Sequence, residues 1–315
     1  MRESLLREIE SVKTLSIVGM CKNAGKTTVL NRLLELAPKG RVLGLTSIGR
    51  DGESVDAVTG TEKPGIFVRE GTLIATAKDM LARSDVTQEI LMNTGIPTPL
   101  GEVIVARARS AGNVQLAGPS ITTQLKTVTD AFFALGADQA IIDGALGRKS
   151  LGARTVAEGV ILCTGASYHA SMEKTVRDTV NAFRILNLKK AETLPEASDA
   201  PLGDILKQHG EARVSGALTD SLVLPLLRSG ALKNARLIVK DPSKVLLSAE
   251  TLDKLDARGV SLETEEAAKP LCVTVNPVSA YGWKYDKDAF MRALTEALDV
   301  PVIDVKEEGY DQRQL

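Results

Sequence analysis

Aromatic side chains are scarce, at 3% of a 315-residue chain. That is too few for the stacking platforms that hold single-stranded nucleic acid or sugars. Histidine occurs only twice, as His169 and His209, too far apart and too isolated to suggest a metal pair or a catalytic dyad. The three cysteines, Cys21, Cys163 and Cys272, form no C-x-x-C pair, which argues against a zinc site or a disulfide framework and fits a reducing compartment. Charge of one sign is not in excess. With 39 basic and 40 acidic residues the net charge is -1, so no electrostatic footprint for nucleic acid is visible. Apolar runs such as Gly159–Cys163 are strand-sized, well short of the ~20 residues that span a bilayer. The N-terminal MRESLLREIESVK is charged and has no signal-peptide core, so the expectation is a cytoplasmic protein without a membrane or nucleic-acid partner.

What is present is the composition of a folded α/β chain, 43% hydrophobic and 25% charged, long enough for two domains. Short β-branched runs alternate with amphipathic stretches. Thr14–Val18, Arg41–Leu45, Gln139–Ile142 and Gly159–Cys163 read as strands, and Lys26–Leu36, Ser120–Leu135 and Ala170–Leu186 as helices. Ser120 is the expected N-cap of its helix. Two hairpins are expected, one joining Ile66–Val68 to Leu73–Ala75 and one joining Glu102–Ala108 to Asn113–Leu116. This rhythm predicts a wound, mainly parallel sheet with helices on both faces, inserted β-hairpins and a C-terminal α/β extension. The charged, weakly periodic segment 187–200 reads as a linker or exposed connection between 1–186 and a region 201–315 for specificity or partner binding. That last region could form a separate domain or add strands to the first sheet.

The densest chemical signal is Ser16 to Thr28, SIVGMCKNAGKTT. A buried strand runs into a tight loop and then a helix, which together make a concave anion site from backbone N–H groups. Gly25 lets the backbone approach a phosphate, Lys26 can reach β- and γ-phosphates, and Thr27 can offer its hydroxyl to Mg²⁺. The pattern G-x-x-x-x-G-K-[ST] would place its first glycine at Met20; here it is Gly19. The alternative is an ordinary strand–turn–helix rich in small residues.

Gly19 to Thr28 resembles the loop of the P-loop NTPase group that contains signal-recognition GTPases, MinD-type ATPases, dethiobiotin synthetase and metallochaperone GTPases. Lys22-Asn23-Ala24-Gly25-Lys26-Thr27-Thr28 is especially similar to molybdopterin guanine dinucleotide adaptor proteins. The extra lysine of the MinD loop lies five residues before its Gly-Lys lysine, whereas Lys22 is four before Lys26, so that role does not carry over. The resemblance implies a P-loop NTPase fold and nucleotide contacts from Gly19, Lys22, Asn23, Ala24, Gly25, Lys26, Thr27 and Thr28.

Ala140–Gly144 ends an apolar strand with an acid and a glycine and resembles a Walker B strand. Asp143 would then join Thr27 in holding Mg²⁺; a turn or capping role is the alternative. In the related NTPases the segment Thr46–Glu53 faces the γ-phosphate, which makes Asp51 the candidate to position metal or attacking water, although Asp-Gly is also a turn dipeptide. Arg148 and Lys149 could face phosphates or solvent, and Gly118-Pro119-Ser120 could bring a helix N-terminus to the cleft. No N/T-K-x-D tetrapeptide for guanine is present. Val273-Thr274-Val275-Asn276-Pro277 resembles the adenine-contacting segment of dethiobiotin synthetase, which implies ATP ahead of GTP, with Asn276 at the base.

Three functions remain open. One is a Mg²⁺-dependent NTPase that switches another protein; the overall layout is similar to accessory P-loop proteins thought to reactivate adenosylcobalamin-dependent aminomutases. The second is an ATP-dependent ligase or kinase acting on a small metabolite, and the third a binding module that holds nucleotide without turnover. The partners are a nucleotide with either a protein client or a small-molecule substrate, and a homodimer is left open. Tyr281, Trp283 and Tyr285 hold three of the chain's 10 aromatics and suggest an interface or a buried corner.

Overall fold

The computed structural model describes residues 3–49, 65–144, 157–198 and 200–306. In chain order the elements begin with α1 (Glu3–Ser11), β1 (Thr14–Gly19), α2 (Lys26–Leu36), β2 (Leu43–Ser47), β3 (Ile66–Val68), β4 (Leu73–Ala77) and α3 (Lys78–Leu81). Next come β5 (Gln88–Thr98), β6 (Gly101–Ala108), β7 (Gly112–Val114), α4 (Thr122–Ala134), β8 (Gln139–Asp143), β9 (Gly159–Gly165) and α5 (Met172–Leu186). They are followed by β10 (Lys189–Lys190), α6 (Leu202–His209), β11 (Glu211–Val214), β12 (Leu218–Thr219), α7 (Asp220–Arg228), β13 (Arg236–Val239) and β14 (Val245–Leu246). The last are α8 (Ala249–Asp256), β15 (Ser261–Thr264), β16 (Lys269–Asn276), α9 (Lys287–Ala297) and β17 (Val302–Ile303). The chain divides into two compact units, one running to Val176 and resuming at Pro270, the other Arg177–Lys269.

The first unit is built on a nine-stranded sheet in the order β17-β16-β9-β1-β8-β2-β4-β6-β5. β1 lies parallel between β8 and β9, and β2 lies parallel between β8 and β4. Every residue of β1 is buried, the small polar Thr14 and Ser16 included, as expected of a parallel strand covered on both faces. In α2, Val29, Leu30, Leu33 and Leu34 turn a narrow face into the same core. β6 enters antiparallel to both β4 and β5, so the sheet is mostly parallel with an antiparallel edge.

Both expected hairpin pairings are corrected. Ile66–Val68 pairs with Gly112–Val114 in a separate two-stranded sheet. Leu73–Ala77 pairs with β2 and β6. The true hairpin joins β6 to β5, an element the sequence concealed. Its residues Glu89 and Ile90 are exposed, Pro97 lies within it, and its register shifts at two places. An edge strand tolerates all three features, and none of them advertises a strand. Ser120 does not cap α4; the N-cap position is Ile121, without a side-chain hydrogen bond.

The boundaries expected at 186 and 201 also differ from the structure. β16 and β17 belong to the first unit's sheet, because Leu271, Cys272 and Ile303 bury their side chains in the core that holds β1. Lys189–Lys190, inside the expected linker, forms β10 on the edge of the second unit's sheet.

The second unit carries a four-stranded parallel sheet, β10-β15-β13-β11. Leu206, Val223, Leu237, Leu252 and Leu255 are in its core. Arg236 on the central β13 ties its neighbours together. Its Nη2 donates to Glu263 Oε2 at 2.8 Å on β15, and its Nη1 donates to Glu211 Oε2 at 2.9 Å on β11. The Arg236 guanidinium holds the Glu263 carboxyl below the ordinary glutamate range, helped by the Ser261 hydroxyl. A lowered folded-state value stabilises above the unfolded pKa and is lost as pH falls through the folded one. Acidification from about pH 7 to about pH 3 should therefore lower this unit's melting temperature. Glu263→Gln should flatten that dependence, as read by thermal melts across the range; an unaltered slope would remove Glu263 from the account.

Candidate functional site

The loop 20–25 leaves the carboxyl end of β1 and enters α2. Asn23 has φ 59° and Gly25 φ 97°, so left-handed residues flank Ala24. Gly25 is the N-cap residue of α2 and offers no side chain to the helix's first N–H groups. Those N–H groups and the helix dipole are thus left to face whatever sits in the loop. Alternating backbone handedness of this kind curves N–H groups into an anion-binding concavity.

Lys26 completes the cradle. Its side chain folds back over the end of β1, where a Cβ added to Gly19 would lie 3.2 Å from Lys26 Cγ and Cδ. Glycine at this position therefore makes room for the lysine stem, a role that does not depend on the exact spacing of the sequence pattern. Lys26 is only 9% exposed, and among the described residues it has neither an ion pair nor a hydrogen bond. A lysine side chain so largely buried and without an ion pair is uncommon. Here it sits beside backbone donors that also seek an anion.

Asp143 ends β8, opposite Ile17 of β1 on one side and Ser47 of β2 on the other. Its carbonyl accepts from the Ile48 N–H at 3.0 Å, while Gly144 N–H donates to Ile17 carbonyl at 2.8 Å. These bonds fix the backbone of half-buried Asp143 at the strand ends next to the loop, with its Oδ1 buried. Its field and that of Lys26 both reach the buried Cys163 thiol, in opposite senses, but burial dominates and pushes that thiol up to about 12. Burial likewise raises Cys21, inside the loop, to about 11 against the pull of Lys26. Neither cysteine is a thiolate nucleophile at neutral pH.

Thr27 and Thr28 stand in the first turn of α2, both partly exposed. Among the described residues no group of three or more His, Cys, Asp or Glu could hold a metal ion. The donors that are here, one carboxylate and one hydroxyl beside an anion cradle, fit Mg²⁺. That ion keeps waters and takes substrate phosphates in preference to an all-protein cage.

Gly118 to Ser120 crosses the end of β2: Gly118 N–H donates to Ser47 Oγ at 3.0 Å and Gly49 N–H to the Pro119 carbonyl at 2.8 Å. This brings the segment to the same strand ends as Asp143, though not as a helix N-terminus. Asp51, Arg50, Glu53, Arg148 and Lys149 lie outside the described residues.

Asn276 ends β16, and its Nδ2 donates to the Asn23 carbonyl at 2.9 Å. The residue expected at a base is thus joined to the loop itself. Beyond it, Trp283 Nε1 donates to the Ala166 carbonyl at 2.9 Å, and Trp283 stacks on Tyr281 with centroids 5.6 Å apart. Tyr285 is buried, so one aromatic makes a corner while Tyr281 stays exposed. Sequence reading missed Asp304. It is 8% exposed and lines a cavity of about 20 Å³ with Gly25, Thr28, Thr274, Asn276 and Lys306. The available signal was the same as at Asp143, an acid just after an apolar strand.

No family model matches the chain, and no curated protein is significantly similar to it. Among the described residues no helix is long and apolar enough to cross a membrane.

Proposed function

We propose that the chain binds and hydrolyses a nucleoside triphosphate with Mg²⁺, as a P-loop NTPase, with ATP preferred to GTP. The observation that carries this reading is the buried, unpartnered Lys26 beside the left-handed loop and the uncapped start of α2. Phosphoryl transfer asks for positioning and charge neutralisation more than for covalent chemistry. In this reading the loop N–H groups grip the β-phosphate, and Lys26 neutralises charge on the β- and γ-phosphates. Thr27 Oγ1 and the Asp143 carboxylate would hold the metal, which when bound would supply positive charge to offset that of the phosphates. Asp51 is assigned to orienting the attacking water. The ATP preference rests on the missing N/T-K-x-D tetrapeptide.

The work done is proposed to be a switch or accessory role on another protein, such as reactivation of a cobalamin-dependent aminomutase. The second compact unit, with its own sheet and core, supports a place for such a client. Purified protein with Mg²⁺ and ATP tests the reading by phosphate release. Turnover without an added metabolite is the expected result; turnover only when a metabolite is supplied would favour a ligase or kinase.

A further inference from the structure

We infer that Asn276 is a positioning residue for the loop, holding the Asn23–Ala24 peptide so that the Ala24 N–H faces the bound phosphate. This rests on the nucleotide-binding reading above. The Asn276 carboxamide is engaged at both ends. Its Nδ2 donates to the Asn23 carbonyl at 2.9 Å, and its Oδ1 accepts from the Val278 N–H at 3.3 Å. Its backbone carbonyl accepts from Ala166 N–H at 2.8 Å, which fixes Asn276 against the end of β9.

The consequence for the loop follows from peptide geometry. In a planar trans peptide the C=O and the next N–H point in opposite directions. Tying the Asn23 carbonyl to Asn276 therefore turns the Ala24 N–H to the other side of the loop. Asn23 holds a left-handed φ of 59°, a conformation that asparagine adopts more readily than other non-glycine residues. The Asn276 bond, from a residue 253 positions away, ties the following peptide down in that conformation. The anchor is rigid, because Leu271, Cys272 and Val273 of β16 are buried. A side chain used in this way acts on any ligand with a phosphate chain and does not read the base.

That difference makes the test. Wild type, Asn276→Ala and the isosteric Asn276→Asp are titrated calorimetrically with Mg-ATP and with inorganic tripolyphosphate, which has no base. Asn276→Ala should lose on the order of tenfold in affinity for both ligands alike. Asn276→Asp should lose more, on the order of a hundredfold, because a carboxylate cannot donate to the Asn23 carbonyl and repels the phosphates. Ligand-free melting temperatures should stay at the wild-type value, which separates positioning from a general loss of fold. Wild-type affinity for tripolyphosphate in both variants would overturn the inference, and a loss confined to ATP would make Asn276 a base contact. Wild type that binds neither ligand would overturn the nucleotide reading, and this inference with it.

Discussion

Replacing Lys26 with methionine should abolish high-affinity triphosphate binding and leave the ligand-free protein as stable as wild type, or more so. The two halves of this expectation come from the same observation. The lysine stem packs over Gly19, and methionine keeps that apolar contact. The Lys26 side chain is largely buried and makes no ion pair among the described residues, so removing its charge breaks no bond that the ligand-free fold uses. In the proposed complex the same charge would meet phosphate oxygens. A charge-assisted hydrogen bond contributes about 1.5–3 kcal/mol, and stranding the ligand's charge costs more, so a loss of roughly a hundred- to a thousandfold is expected. Calorimetry measures the affinity and a thermal melt the stability. A variant that binds ATP as wild type does would sink the assignment of the loop. A variant that melts far below wild type would make Lys26 a structural residue.

Changing Asp143 to asparagine should separate metal-dependent turnover from nucleotide binding. The substitution keeps shape, exchanges one acceptor oxygen for a donor NH₂, and removes the charge that compensates a divalent cation. Phosphate release over a magnesium titration should fall on the order of a hundredfold. Binding of ATP in the presence of a chelator should change little. The backbone bonds that set this strand end, Ile48 N–H to the Asp143 carbonyl and Gly144 N–H to Ile17, do not use the side chain, so the fold should survive. Wild-type hydrolysis by the variant at every magnesium concentration would reduce Asp143 to a turn residue.

The parts of the fold visible in the sequence are those where burial on both faces, or a strong amphipathic stripe, left a continuous mark. β1, α2, β8, β9 and α5 fall within a few residues of their expected places. The loop between β1 and α2 was legible as a break, because Gly25 and the polar residues around it interrupt the apolar pattern where β1 ends and α2 begins. Strand pairing was not legible. Ile66–Val68 and Leu73–Ala77 are close in sequence and separated by a turn signal, yet each finds its partner elsewhere. Local pattern sets the strand and its faces, while the partner is decided by the whole sheet. For the same reason the return of β16 and β17 to the first unit could not be read. Asn276 illustrates the limit at the site: its type and its place at a strand end were visible, but its bond to Asn23 depends on the neighbouring order of β16 and β9.

A crystal structure of the protein with Mg²⁺ and a non-hydrolysable ATP analogue decides where the triphosphate binds. It is expected in the loop 20–25, within hydrogen-bond reach of the Ala24 and Gly25 N–H groups and Lys26 Nζ, with the metal held by Thr27 and Asp143. A triphosphate bound elsewhere, with Lys26 still buried and untouched beside Gly19, would contradict that expectation.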